Sequence, residues 1–161
     1  MTLIVEDGTL VAGANTYLTA AEANTILANF GKAALVVGTA EASLKQAAQY
    51  LQGFSFKGYS ETQEQSLIFP RQGIVIDGFE FPFDEIPNQL KNAQALAASL
   101  VDTGTSLYSD SSGQEIIQKT VDVISVTYQP SGIASSQPIF GMIQAQLKPL
   151  LINPAQLTVT R

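Results

Sequence analysis

Leu90, Ala93, Leu96, Ala97 and Leu100 recur at the three-and-four spacing of a helix that buries one face, and Gly104 closes the run. Pro87 stands in its first turn, where a missing N–H leaves no bond unmade. A stripe this regular is stable only when other apolar surface covers it, so the rest of the chain must supply partners. Three segments do so. Thr19 with Glu22 three residues later is a capping box, each side chain satisfying a backbone donor that the helix leaves orphaned; it predicts a helix over 20–29, ended by Gly31. A second helix is predicted over 39–53, opening at Thr39 with Glu41 in its first turn and carrying Leu44, Ala47, Ala48 and Leu51 on one face. The last, over 138–150, is lined by Ile139, Phe140, Ile143, Leu147, Leu150 and Leu151, and Pro149 ends or bends it. The fold class expected is mainly α, a small helical bundle with a short β-strand or hairpin element and an extended C-terminal tail.

At 161 residues, 45% of them hydrophobic, the chain has the size of one ordinary domain with a real core. The organisation expected is a single domain over 1–151, including a strand and loop segment at 114–130, followed by a tail over 152–161. There is no Cys, hence neither a disulfide framework nor a thiolate, which fits a reducing compartment. The N-terminus lacks a basic region followed by a long apolar one, and no run approaches a membrane span, so a soluble, unexported protein without membrane contact is expected.

Between the helices the signals are those of turns and short strands. Leu3–Val5 is apolar and extended, Glu6-Asp7-Gly8 is a turn, and Gly13 and Asn15 continue the loop. From Phe54 to Asp84 the pattern is that of a long structured loop, within which Asp77-Gly78 marks a hairpin between Gly73–Ile76 and Phe79–Phe81. Thr120 to Tyr128 alternates as one strand, with Val121, Val123, Ser125 and Thr127 to one side and Asp122, Ile124, Val126 and Tyr128 to the other. A lone strand in a helical chain needs partners for its backbone groups, found either within the subunit, at Gly73–Ile76 or Leu3–Val5, or on another chain by strand addition. Val121, Val123, Ile124, Val126 and Tyr128 are therefore candidate interaction residues. In the tail, Leu157 and Val159 alternate with Thr158 and Thr160, and Arg161 is available to an acidic partner.

Charge and composition then narrow the function. A formal net charge of −6, with the eight basic residues scattered singly, leaves no Lys/Arg cluster to neutralise phosphates. Phe79, Phe81 and Phe83, which a single-strand binder would set in a basic groove, lie beside Asp77, Glu80, Asp84 and Glu85. Without His or Cys there is no Ser-His-Asp triad, imidazole shuttle or thiolate nucleophile. The acid pairs Glu6-Asp7 and Asp84-Glu85 sit at a turn and a helix start, where acids serve structure. No enzyme activity, cofactor or metal is expected. In Phe69-Pro70-Arg71 two roles stay open for Arg71, a forked bond to a neighbour's carboxylate or an internal pair with a nearby acid.

Three ordered blocks, Ile4–Ala23, Leu67–Ile74, and Thr120–Tyr128 with Pro138–Leu151, resemble in their order the head–tail connector (adaptor, head-completion) proteins of tailed phages, a group also labelled DnaT-like single-stranded-DNA-binding. That group more often has Trp-Pro-Arg where this chain has Phe69-Pro70-Arg71. The resemblance implies a structural virion protein of the neck, made in the host cytoplasm. It would form a ring of roughly twelve copies beneath the portal, two different patches of each subunit closing the ring. Its partners would be other copies of itself, the portal, and a tail or stopper (tail-terminator) protein. Packaged DNA would cross an acidic lumen without specific binding. The alternative is a replication-type single-stranded-DNA-binding protein.

Overall fold

The Thr19 box forms. Its hydroxyl oxygen accepts from the Glu22 N–H at 3.2 Å, the Glu22 carboxylate accepts from the Thr19 N–H at 2.8 Å, and helix α1 (Ala20–Asn29) runs on from there. Gly31, at φ 65°, lets the chain turn back so that its N–H reaches the Ala28 carbonyl and that of Lys32 the Leu27 carbonyl. These are the paired bonds of a Schellman cap. The structure, a computed structural model, describes residues 2–108, 118–121, 124–127 and 140–152.

Helices α2 (Ala40–Leu51), α3 (Asn88–Asp102) and α4 (Gly141–Leu147) follow, and α1, α2 and α4 each pack on α3. The sequence predicts one buried stripe on α3. In the structure residues 93 to 98 are all buried, so its middle is covered on every side. Ala at 93, 95, 97 and 98 makes that possible, because small side chains let neighbouring helices approach closely. The polar exception is Gln94, fully buried. Its amide donates to Thr16 Oγ1 (2.8 Å) and to the Leu44 carbonyl (2.9 Å), and its own carbonyl accepts from the Tyr17 N–H (3.0 Å). One side chain thereby joins α3, α2 and the N-terminal loop with all its partners satisfied.

The boundaries of the other helices depart from expectation in three places. Thr39 makes no cap to α2; its hydroxyl donates to Asp102 Oδ1 at 2.7 Å, and Asp102 Oδ2 accepts from the Val36 N–H at 2.9 Å. Asp102 thus ties the α1–α2 loop to the end of α3. Pro87 precedes α3 instead of entering it, its carbonyl accepting from Leu90 and Lys91. The described part of the last helix begins at Gly141, after an N-cap at Phe140, and gives way at Lys148 to turns as Pro149 requires.

By its contacts the chain divides into two compact units, residues 1–107 with 140–161, and residues 108–139. In the first, beyond the helices, the expected long loop contains two antiparallel ladders, β1 (Tyr59–Ser60) with β2 (Arg71–Gln72) and β3 (Val75–Ile76) with β4 (Phe79–Glu80). After α4 the chain lies antiparallel to residues 55–57: Lys57 N–H donates to the Leu150 carbonyl and Ile152 N–H to that of Ser55. The expected tail is therefore anchored at its first residue; 153–161 lie outside the described residues. In the second unit the run read as one strand is two, β5 (Gln118–Val121) and β6 (Ile124–Thr127), paired with each other in the register Val121↔Ile124 through Gln118↔Thr127. Folding back on itself pairs the facing backbone groups of the two runs with each other.

Candidate interaction surface

The 54–86 region is held in place by a few buried side chains. Phe69 packs edge-on against Phe56 (centroids 5.1 Å apart), and its N–H donates to the Tyr17 hydroxyl oxygen at 3.2 Å. Burial drives the Tyr17 phenol well above its ordinary pKa, so it stays neutral and keeps its hydrogen bond. Arg71 closes the β1 turn from inside: its Nε donates to the Lys57 carbonyl (2.9 Å) and an Nη to that of Gly58 (2.7 Å). Within the chain these fork partners are carbonyls, not the nearby acid that an internal pair would need. Partial burial lowers its pKa, yet a guanidinium remains charged at any physiological pH. Lys57 is also committed, its ammonium donating to the Pro149 carbonyl at 2.8 Å.

On this base stands the β3–β4 hairpin. Asp77 and Gly78 have φ of 50° and 86°, the two left-handed residues of a type I′ turn, as the Asp-Gly signal predicts. The pleat turns Ile74, Ile76 and Phe81 toward the core; Ile74 is fully buried, the other two half-buried. It leaves Val75 and Glu80 outward and carries Phe79 past the edge of the core. Phe79 is 79% exposed, Tyr59 62% and Phe83 54%. Tyr59, Gln72 and Gly73 on one side and Glu80 to Phe83 on the other line an open groove of about 450 Å³.

Tyr59 and Phe83 line this groove and Phe79 directly precedes its Glu80, so three large aromatic side chains stand in water in or next to the groove's lining segments. The charge of the surrounding chain bears on what such rings could accept. Between residues 58 and 89 the chain carries Glu61, Glu64, Asp77, Glu80, Asp84 and Glu85 against Arg71 alone, and the Arg71 fork is engaged by the Lys57 and Gly58 carbonyls. A phosphate backbone laid on these rings would meet like charge; a neutral or basic polypeptide would not.

Of the acid pairs, Glu6-Asp7 is built into its own loop. Glu6 is buried and its carboxylate accepts from the N–H groups of Gly8, Leu10 and Val11 at 2.9–3.0 Å, shaping the 6–11 loop. Gly8 (φ 112°) lies so close to residue 84 that a Cβ there would come within 2.0 Å of the Asp84 carbonyl oxygen. Among the described residues no group of three or more acids is arranged to hold a metal, and no helix is long and apolar enough to cross a membrane.

Of the candidate interaction residues, Arg71 is half-buried and bonded to carbonyls of its own chain, and Val121, Ile124 and Val126 lie on the β5–β6 hairpin. Val123, Tyr128, Leu157, Val159 and Arg161 fall outside the described residues. Tyr59, Phe79 and Phe83 were missed as a surface. The signal for them was the Phe-acid alternation at 79–85, which the sequence reading used only against nucleic acid.

The family model described as "Putative DnaT-like ssDNA binding protein" matches residues 1–161, so the chain belongs to that family. No curated protein and no solved structure matches it.

Proposed function

We propose that this member of the DnaT-like family is a structural virion subunit, a head–tail adaptor that forms a ring between portal and tail, seals the filled head and offers the tail its docking surface. The observation that carries the reading is the exposed Tyr59, Phe79 and Phe83 surface in an acidic setting, which favours a protein partner over a polyanion. The acidic excess of the whole chain suits a conduit that DNA must cross without sticking. On this reading the chain is not an enzyme. Its partners are other copies of itself, the portal and a tail or stopper protein, and it resides in the virion neck.

The family's description favours a second reading, single-stranded-DNA binding in replication. The two make opposite forecasts. An adaptor self-associates, or joins the portal, without oligonucleotide, and occurs in virions at roughly a dozen copies. A single-strand binder shows a submicromolar affinity that falls steeply with salt. Sedimentation of the purified chain with and without a single-stranded oligonucleotide, together with quantification in purified virions, separates them. Virions that lack the protein, or hold one or two copies, sink the adaptor reading.

A further inference from the structure

We infer that the groove between Tyr59 and Phe83 receives residues 153–161 of a second copy of the chain; the choice of a second copy rests on the ring reading above.

The groove offers what an added strand needs. In a two-residue hairpin whose Phe81 N–H bonds the Ile74 carbonyl, the alternation of the ladder turns the backbone groups of Val75 and Glu80 outward, away from each other. Among the described residues the β3–β4 ladder has two strands and no third, so an extended segment can add at the Glu80 edge, beside the groove. Tyr59 and Phe83 are among its lining residues, as is the acidic Glu80, and Asp77 and Asp84, on either side of Glu80 in the sequence, are exposed.

The segment 153–161 is the complement within this same chain. It reads NPAQLTVTR: no acidic residue, one basic residue, and Leu157 and Val159 at the two-residue spacing that places both on one face of a strand. Leu157 and Val159 would fill the groove while Arg161 meets Glu80. Direction favours a second copy over the chain's own groove. At Leu150–Ile152 the chain runs antiparallel to residues 55–57, hence away from Tyr59. Nine extended residues span about 30 Å, enough to reach a neighbour. A groove on one subunit filled by the tail of the next is a head-to-tail contact with two different patches, the kind that closes into rings.

The test uses full-length protein and analytical ultracentrifugation. The groove variant Phe83→Asp and the tail variant Leu157→Asp, both at positions outside the buried core or the described residues, should each weaken self-association by about tenfold or more. Mixed together, they should form a dimer that grows no further, because one good groove and one good tail remain. Arg161→Glu and Glu80→Arg should each weaken association, and the double variant should recover it. Variants that associate like the parent overturn the inference, as does a parent chain that stays monomeric at about 100 µM. A tail folded into its own groove would leave the sizes of all variants equal and count against it too. Groove and tail variants that enter virions at normal copy number would remove this inference and leave the adaptor reading standing. Absence of the parent chain from virions would remove the adaptor reading even if the contact forms.

Discussion

Replacing Gln94 by Leu keeps nearly the same volume, yet it leaves the Tyr17 N–H without its partner where water does not reach, and takes from the Leu44 carbonyl the bond it makes beyond its own helix. A buried group orphaned in this way costs about 1–3 kcal/mol, so Gln94→Leu should destabilise by about that much despite its greater hydrophobicity. Urea denaturation measures this as a lower midpoint at an unchanged slope. Two glycines separate backbone strain from collision. Gly31→Ala meets open space at φ 65° and should cost about 1 kcal/mol, the strain of a left-handed alanine. Gly8→Ala adds a Cβ 2.0 Å from the Asp84 carbonyl oxygen, so backbone must move, and the loss should exceed that of Gly31→Ala severalfold. Equal midpoints for the two variants would mean that the 6–8 turn yields freely. Neither Gln94 nor the Gly8 contact was legible in the sequence: each depends on residues at least forty positions away, and local pattern carries no trace of that.

At the scale of the element, what is local was readable. Helix α1 spans the predicted 20–29 because the Thr19 box and the Gly31 cap are set by bonds within a few residues of each end. The Asp77-Gly78 turn was readable for the same reason. The ladder β1–β2 was not, since two-residue strands paired across Tyr59↔Gln72 show no periodicity. Alternation over 120–128 likewise cannot tell one strand from a run that doubles back. The caps carry a pH dependence. Hydrogen bonds from Thr19 hold the Glu22 carboxyl below its ordinary pKa, and those from Thr39 and the Val36 N–H do the same for Asp102. A carboxyl lowered by folding stabilises the native state above its unfolded value, and the effect is lost as pH falls through the folded value. Stability should therefore decline as pH drops below about 4, and Glu22→Gln should flatten part of that decline. Thr19→Ala, which removes the cap itself, should cost about 1 kcal/mol in thermal or urea unfolding at neutral pH. An acid limb of the same steepness in the parent and in Glu22→Gln would show that other groups govern it.

For the whole molecule, the mainly α class and all four helices followed from apolar stripes that must cover one another. The interaction surface did not, because exposure is a property of the assembled fold: Phe79, Phe81 and Phe83 look alike in sequence, yet Phe81 is half-buried and Phe79 largely exposed. The structure also carries the folded body through Ile152, the first residue of the expected tail. Leu150 is fully buried, Leu151 bridges to Phe56, and the Ile152 N–H donates to Ser55. Ending the chain after Ile152 removes none of these contacts and should leave the melting temperature of the free subunit nearly unchanged. Ending it after Leu147 strips Leu150 from the core and frees the 55–57 backbone, a loss of about 3 kcal/mol or more, judged from buried-leucine truncations. If the adaptor reading is right, the longer protein should fold normally and still fail to enter heads, which divides the requirement for folding from the requirement for assembly at a single residue. Normal head incorporation by the chain ending at Ile152 would mean that residues 153–161 have no part in assembly.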